Sequence, residues 1–139
     1  MLEKQDVAKI IPQVFAPWVQ DLAIEVTSVD DNLARFTIPE NDRLVRIGGI
    51  VCGQALSAFA DTAMVLALCA RFDGFRPVTT VDQTTSFMKP IRNVGVNCDV
   101  EILRLGRQMA FLRAILYEQG GAPAASVSGS YMLPPPENQ

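Results

Sequence analysis

Residues 53–71 read Gly-Gln-Ala-Leu-Ser-Ala-Phe-Ala-Asp-Thr-Ala-Met-Val-Leu-Ala-Leu-Cys-Ala-Arg. The segment is rich in Ala, Leu and Met, which are strong helix formers, and it places apolar side chains on nearly every face of a helical wheel. Such a helix is expected to be wrapped by the rest of the chain rather than laid on a surface with one side in water. Asp73-Gly74 and Pro77 mark its end. Inside it sits one acid: Asp61 is the only charged residue between Arg46 and Arg71.

The other segments supply the wrapping. Residues 3–15 show roughly helical apolar spacing, broken by Pro12, and predict one short N-terminal helix. Residues 22–29 and 33–38 alternate and flank Asp30-Asp31-Asn32, a hairpin signal. After the long helix come four strand candidates at residues 78–87, 97–105, 108–117 and 122–133. The last of these are joined by tight Gly-bearing turns, as antiparallel neighbours are, so the four read as a meander. One apolar helix beside about six strands predicts an α+β fold in which a curved antiparallel sheet wraps the helix. Its open edge strands invite side-by-side pairing of two copies. The single domain is expected to span residues 1–134, with residues 135–139, which begin Pro135-Pro136, as a loose tail.

Composition narrows the chemistry. The chain has 139 residues, no histidine and a net charge of -3. The missing imidazole excludes Ser-His-Asp and Cys-His catalysis and the common His-bearing zinc sites, so any acid–base work falls to a carboxylate, or to a shifted Lys, Cys or Tyr. The weak negative balance leaves no footprint for nucleic acid or an anionic membrane. An anionic ligand would need a local basic patch. Met1-Leu-Glu-Lys-Gln-Asp lacks an apolar signal-peptide core. The apolar stretch 55–70 contains Asp61 and falls short of a membrane span. Cys52, Cys69 and Cys98 are odd in number and widely spaced, which points to reduced thiols in the cytoplasm.

An unpaired carboxylate in an apolar helix is costly, or has its pKa raised toward neutrality. Asp61 is therefore a candidate general base or nucleophile; the alternative is a structural Asp, hydrogen-bonded to neighbouring backbone or exposed at an interface. Arg46-Ile-Gly48-Gly49-Ile-Val-Cys52-Gly53-Gln54 leads into the helix. Gly48 and Gly49 suit a loop of unusual backbone angles, and Gly53, lacking a Cβ, would open the helix N-terminal N–H groups to a ligand carbonyl oxygen. The alternative is a plain helix-leading loop. Gly53 and Asp61 are eight residues apart, ~12 Å along one helix at ~1.5 Å per residue. One substrate cannot meet both in a single chain, so a shared site requires two subunits.

The run from Arg46 through Gly48-Gly49, Cys52-Gly53 and Asp61-Thr62 resembles the motif of the PaaI-type hot-dog acyl-CoA thioesterases. So do Thr79 to Pro90, which contains Thr84-Thr85-Ser86-Phe87-Met88-Lys89, the Leu105-Gly106-Arg107-Gln108 turn, and Ser128 to Pro134. The match runs in order over residues 20–134. The resemblance implies a hot-dog dimer or tetramer, acyl-CoA substrates, Asp61 as base or nucleophile and the Gly53 N–H as oxyanion donor. Two positions depart from the motif: its His is Cys52 here and its Asn is Arg46. Cys52 is a weak hydrogen-bonder, although a thiol at a helix N-terminus is a conceivable nucleophile. Arg46 would pair with the other subunit's Asp61 or meet an anionic acyl group. Lys89, Arg92, Arg104 and Arg107 are candidates for coenzyme A phosphates, Arg107 foremost. Thr84, Thr85 and Ser86 are candidates for the acyl pocket or for orienting water.

The expected function is hydrolysis of an acyl-CoA thioester by a cytoplasmic homo-oligomer, dimer or dimer of dimers. No metal or cofactor is expected beyond the coenzyme A of the substrate. The alternative is a non-catalytic acyl-CoA or acyl-carrier binding module of the same fold. A hot-dog dehydratase would need a His.

Overall fold

A computed structural model describes residues 1–135 of the chain. One long helix, α4 (Gly53–Arg71), packs against a six-stranded antiparallel sheet. Before it come three short helices, α1 (Lys4–Ala8), α2 (Ile11–Val14) and α3 (Pro17–Gln20), then β1 (Glu25–Val29), β2 (Leu33–Ile38) and a two-stranded ribbon, β3 (Val45–Arg46) with β4 (Ile50–Val51). After it come β5 (Thr79–Phe87), β6 (Val96–Leu105), β7 (Met109–Glu118) and β8 (Ala125–Met132).

The α+β wrap expected from the sequence is present, with the long helix at its expected limits. The core is a single cluster in which the inward residues of β6, β7 and β8 (Cys98, Val100, Leu112, Ala114, Leu116, Val127 and Tyr131) meet Phe59, Ala60, Ala63 and Met64 of α4. Strict alternation of buried and exposed residues along β7 and β8 places one face of each on the helix and the other toward solvent.

The short N-terminal helix is present as α1, and two further short helices follow it because prolines reset the chain. Pro12 and Pro17 stand in the first turns of α2 and α3, where a missing N–H costs nothing. Three expectations need correction. The four-strand meander is three strands, β6-β7-β8, because β5 lies beyond β8 in the order β1-β2-β6-β7-β8-β5. The connection after β5 crosses the sheet end, held by Met88 N–H and Lys89 N–H donating to the Ala124 carbonyl. The polar, largely exposed β5 suits an edge rather than the centre. The last strand begins at Ala125 rather than Ala122, since Pro123 has no N–H for the ladder. Finally, the wrapping of α4 is incomplete. Twelve of its 19 residues are buried, but Gly53, Gln54, Ser57, Ala58, Asp61 and Val65 form a stripe that the sheet leaves uncovered. The expected tail at residues 135–139 lies, apart from Pro135, outside the described residues.

Candidate active site

The N-terminus of α4 is built by the ribbon that precedes it. Between Arg46 and Ile50 the chain reverses through Ile47-Gly48-Gly49, where Gly48 (φ 101°) and Gly49 (φ 75°) take left-handed angles that a side chain resists. The ribbon is pinned to the sheet end by the Val51 N–H donating to the Ile91 carbonyl at 2.9 Å and by pairing of Ile50 with Arg92. Arg92 is itself clamped to Glu118, its Nε at 3.0 Å from Oε1 and its Nη2 at 3.0 Å from Oε2. It is therefore engaged in holding this junction, whatever the ligand. Cys52 is the N-cap of α4, with extended backbone and no side-chain capping bond.

A cleft of about 410 Å³ opens at that helix start. Arg46, Gly53 and Lys89 line it together with apolar Ile50, Leu56, Phe87 and Met88. Three residues read as site candidates are thus brought together: a glycine at a helix N-terminus and two cations. The space a Cβ on Gly53 would fill is occupied by the Phe87 ring, whose Cζ would lie 3.1 Å away. Cys52 and Gln54 face elsewhere, into a separate depression of about 260 Å³ with Trp18, Asn41 and Arg43. Arg107 lies in a third, larger groove with Phe72, Arg76 and Leu133, near the other end of α4.

Asp61 sits in the middle of the uncovered stripe, partly buried rather than enclosed. Nor is it unpaired. Its Oδ1 accepts a hydrogen bond from the Tyr131 hydroxyl at 2.7 Å and another from the Thr80 hydroxyl at 3.0 Å. Its Oδ2 has no protein donor among the described residues. Tyr131 is fully buried on the inward register of β8. Burial, reinforced by the Asp61 charge, pushes its phenol far up, so it remains a neutral donor.

Thr80 reaches Asp61 because of a bulge in β5. The register with β8 shifts between Thr80 and Asp82, so Thr80 pairs with Tyr131 and Gln83 pairs with Gly129. Both then face the helix although they are three residues apart. Gln83 uses that placement to donate to the Ser57 carbonyl at 3.0 Å. The same register puts Thr85 opposite inward Val127, while Thr84 and Ser86 pair with Ser128 and Ser126 on the outer face. Of those three strand residues only Thr85 is on the helix side. Thr62 is buried and turned back on its own helix, its hydroxyl donating to the Ala58 carbonyl at 2.8 Å.

The sequence reading missed Tyr131, Thr80, Gln83 and Phe87. The one available signal was Tyr131: a tyrosine in the buried register of a strand needs a partner for its hydroxyl, and Asp61 is the acid in the facing helix.

The family of acyl-CoA thioesterase N-terminal domains matches residues 43–132, well over half of the chain. The chain belongs to the acyl-CoA thioesterase family. Among curated relatives of this thioesterase-family chain, the Thermoplasma acidophilum protein Ta0293 is 23% identical over 133 residues, covering 96% of this chain and 98% of that one. Its architecture recurs in solved hot-dog structures. The thioesterase HI1161 of Haemophilus influenzae superposes with a TM-score of 0.83 at 18% identity, covering 97% of this chain and 96% of that one. The Escherichia coli PaaI protein of the phenylacetic acid degradation operon gives 0.81 at 17% identity, with 94% and 91% covered. The family match spans Arg46, Gly53, Asp61, Thr80 and Tyr131 alike, so both halves of the candidate site lie within the thioesterase domain.

Proposed function

We propose that the chain hydrolyses an acyl-CoA thioester to a free acid and coenzyme A, at a site shared between two copies. The observation that carries this reading is the setting of Asp61: a carboxylate anchored by one oxygen, with the other unoccupied, on a helix face that the chain's own sheet leaves open. The Gly53 N–H lies eight residues earlier, ~12 Å away at ~1.5 Å per residue. Both groups can act on one thioester only when Asp61 belongs to one protomer and Gly53 to the other. The edge strand β5, unpaired on one side and next to the Asp61 stripe, offers the surface for that association.

In the general-base form, Asp61 takes a proton from water as the water oxygen bonds to the thioester carbon. The carbonyl oxygen becomes an oxyanion held by Gly53 N–H of the partner subunit. The C–S bond then breaks and the thiolate leaving group accepts a proton. In the nucleophilic form, Asp61 itself attacks, and water hydrolyses the resulting anhydride. Arg46 and Lys89 at the cleft are placed to meet phosphates or an anionic acyl group; Arg107 and Arg76 form a second cationic spot at the far groove. Three free cysteines, two of them buried, support a reducing, cytoplasmic setting.

The test is hydrolysis of an acyl-CoA panel by the wild type and Asp61→Ala. Loss of at least about 100-fold in kcat is expected, the usual contribution of a positioned base. Unchanged turnover in the variant removes Asp61 from the mechanism. A chain that binds coenzyme A but turns over no substrate is instead a binding module.

A further inference from the structure

We infer that Tyr131 and Thr80 are positioning residues that fix Asp61 by its Oδ1 and reserve Oδ2 as the reacting oxygen. The inference rests on the thioesterase reading of Asp61 given above. A carboxylate on a short stem rotates broadly about its last torsion and would present either oxygen. Here two donors from two different strands converge on the same atom, at 2.7 Å from Tyr131 on β8 and 3.0 Å from Thr80 on β5. Neither placement is incidental. The Tyr131 ring has room because residue 129 is glycine: a Cβ there would meet the ring's Cε1 at 3.0 Å and Met64 Cε at 2.9 Å. Thr80 points at the helix because the bulge before Asp82 restores its inward register.

The consequence is chemical. An ionised carboxylate is acceptor-only, and Oδ1 already carries two O–H donors. A proton taken from water therefore arrives at Oδ2, on the open side of the helix; in the nucleophilic form the same oxygen makes the bond to the acyl carbon. The titratable groups on the elements packed here are Tyr131 from β8 and Cys98 from β6, both charge-neutral in their buried sites. On the helix side of the bulge, β5 brings Thr80 and Gln83, which do not titrate.

The experiment compares Tyr131→Phe, Thr80→Val, Thr80→Ser and Asp61→Ala in steady-state thioester hydrolysis, with kcat and KM read separately. Tyr131→Phe keeps the ring and removes only the donor. It is expected to lower kcat about 10- to 100-fold, the scale of a misplaced reacting group. KM is expected to stay within about 2-fold, because the hydroxyl acts on the reacting group and not on ground-state binding. Thr80→Val is expected to follow in the same direction by about 10-fold, with Thr80→Ser restoring the wild-type kcat. Should Tyr131→Phe fail to fold, the exposed Thr80 pair decides alone. Wild-type kcat in Tyr131→Phe and Thr80→Val, beside a dead Asp61→Ala, overturns the positioning role and leaves the thioesterase reading standing. An active Asp61→Ala overturns both.

Discussion

The Tyr131 hydroxyl donates to Asp61 Oδ1 across 2.7 Å, tying the closing strand of the sheet to the middle of the helix it wraps. The two residues are 70 positions apart in the chain. A buried phenol and an apolar helix's only acid each answer the other's need for a partner. The bond leaves the acid half-engaged: steady at one oxygen, available at the other.

Gly129 makes the room for that contact. In Gly129→Ala the new Cβ would lie 2.9 Å from Met64 Cε and 3.0 Å from the Tyr131 ring. Both neighbours are fully buried and tightly held. A loss of about 1–3 kcal/mol in folding stability is expected, the usual cost of overpacking, read from urea unfolding midpoints at constant m-value. Stability equal to wild type would mean that the core yields more easily than its packing implies.

Gly53 is a softer case. A Cβ there meets the Phe87 ring at 3.1 Å, and that ring is 56% exposed, so it can swing aside. Gly53→Ala is expected to change stability by less than about 1 kcal/mol. It is also expected to cut kcat/KM roughly 10-fold, because the methyl and the displaced ring intrude on the donors at the helix start. Assay and thermal melt together check this; a variant with full activity shows that the helix N-terminus does not hold the substrate oxygen.

The Arg92–Glu118 clamp carries a pH signature. Hydrogen bonds from the Arg92 side chain, then from its backbone, hold the Glu118 carboxyl down to about 2, below its usual 4.5. A depressed carboxyl contributes stability that is fully present above its unfolded pKa and disappears as pH falls through the folded value. Arg92→Ala is therefore expected to lower Tm by about 1–3 °C at pH 7, modest for a pair open to solvent. The gap from wild type closes between about pH 4.5 and 2. A gap independent of pH would assign the effect to backbone packing at the ribbon instead.

The three thiols are expected to label in a fixed order. Cys52 is part-exposed at the start of α4, whereas Cys69 and Cys98 are buried. Burial pushes both buried thiols up, away from the reactive thiolate. An alkylating reagent at neutral pH should modify Cys52 in the folded chain and reach the other two only on unfolding, a count that mass spectrometry gives directly. Early labelling of Cys98 would indicate that the sheet opens locally.

Much was written locally in the chain. The limits of α4, the lone acid within it, the Gly-Gly turn before it and the strand segments follow from helix propensity, apolar period and turn chemistry, all of which act within a few residues. The family resemblance used the same local motifs, and the match over residues 43–132 agrees with it. What the tertiary structure decided were the pairings. β5 crosses to the far edge beside β8, and one bulge turns Thr80 toward the helix. Those two facts bring hydroxyls from distant strands onto one oxygen of Asp61. The folded chain also sets Gly53 with Arg46 and Lys89 in one cleft, Cys52 with Gln54 in another, and Arg107 in a third. Strand order and register are set by how all the inward faces pack at once. No short stretch of sequence contains that information, so the acid could be found in the chain, while its partners could be found only in the fold.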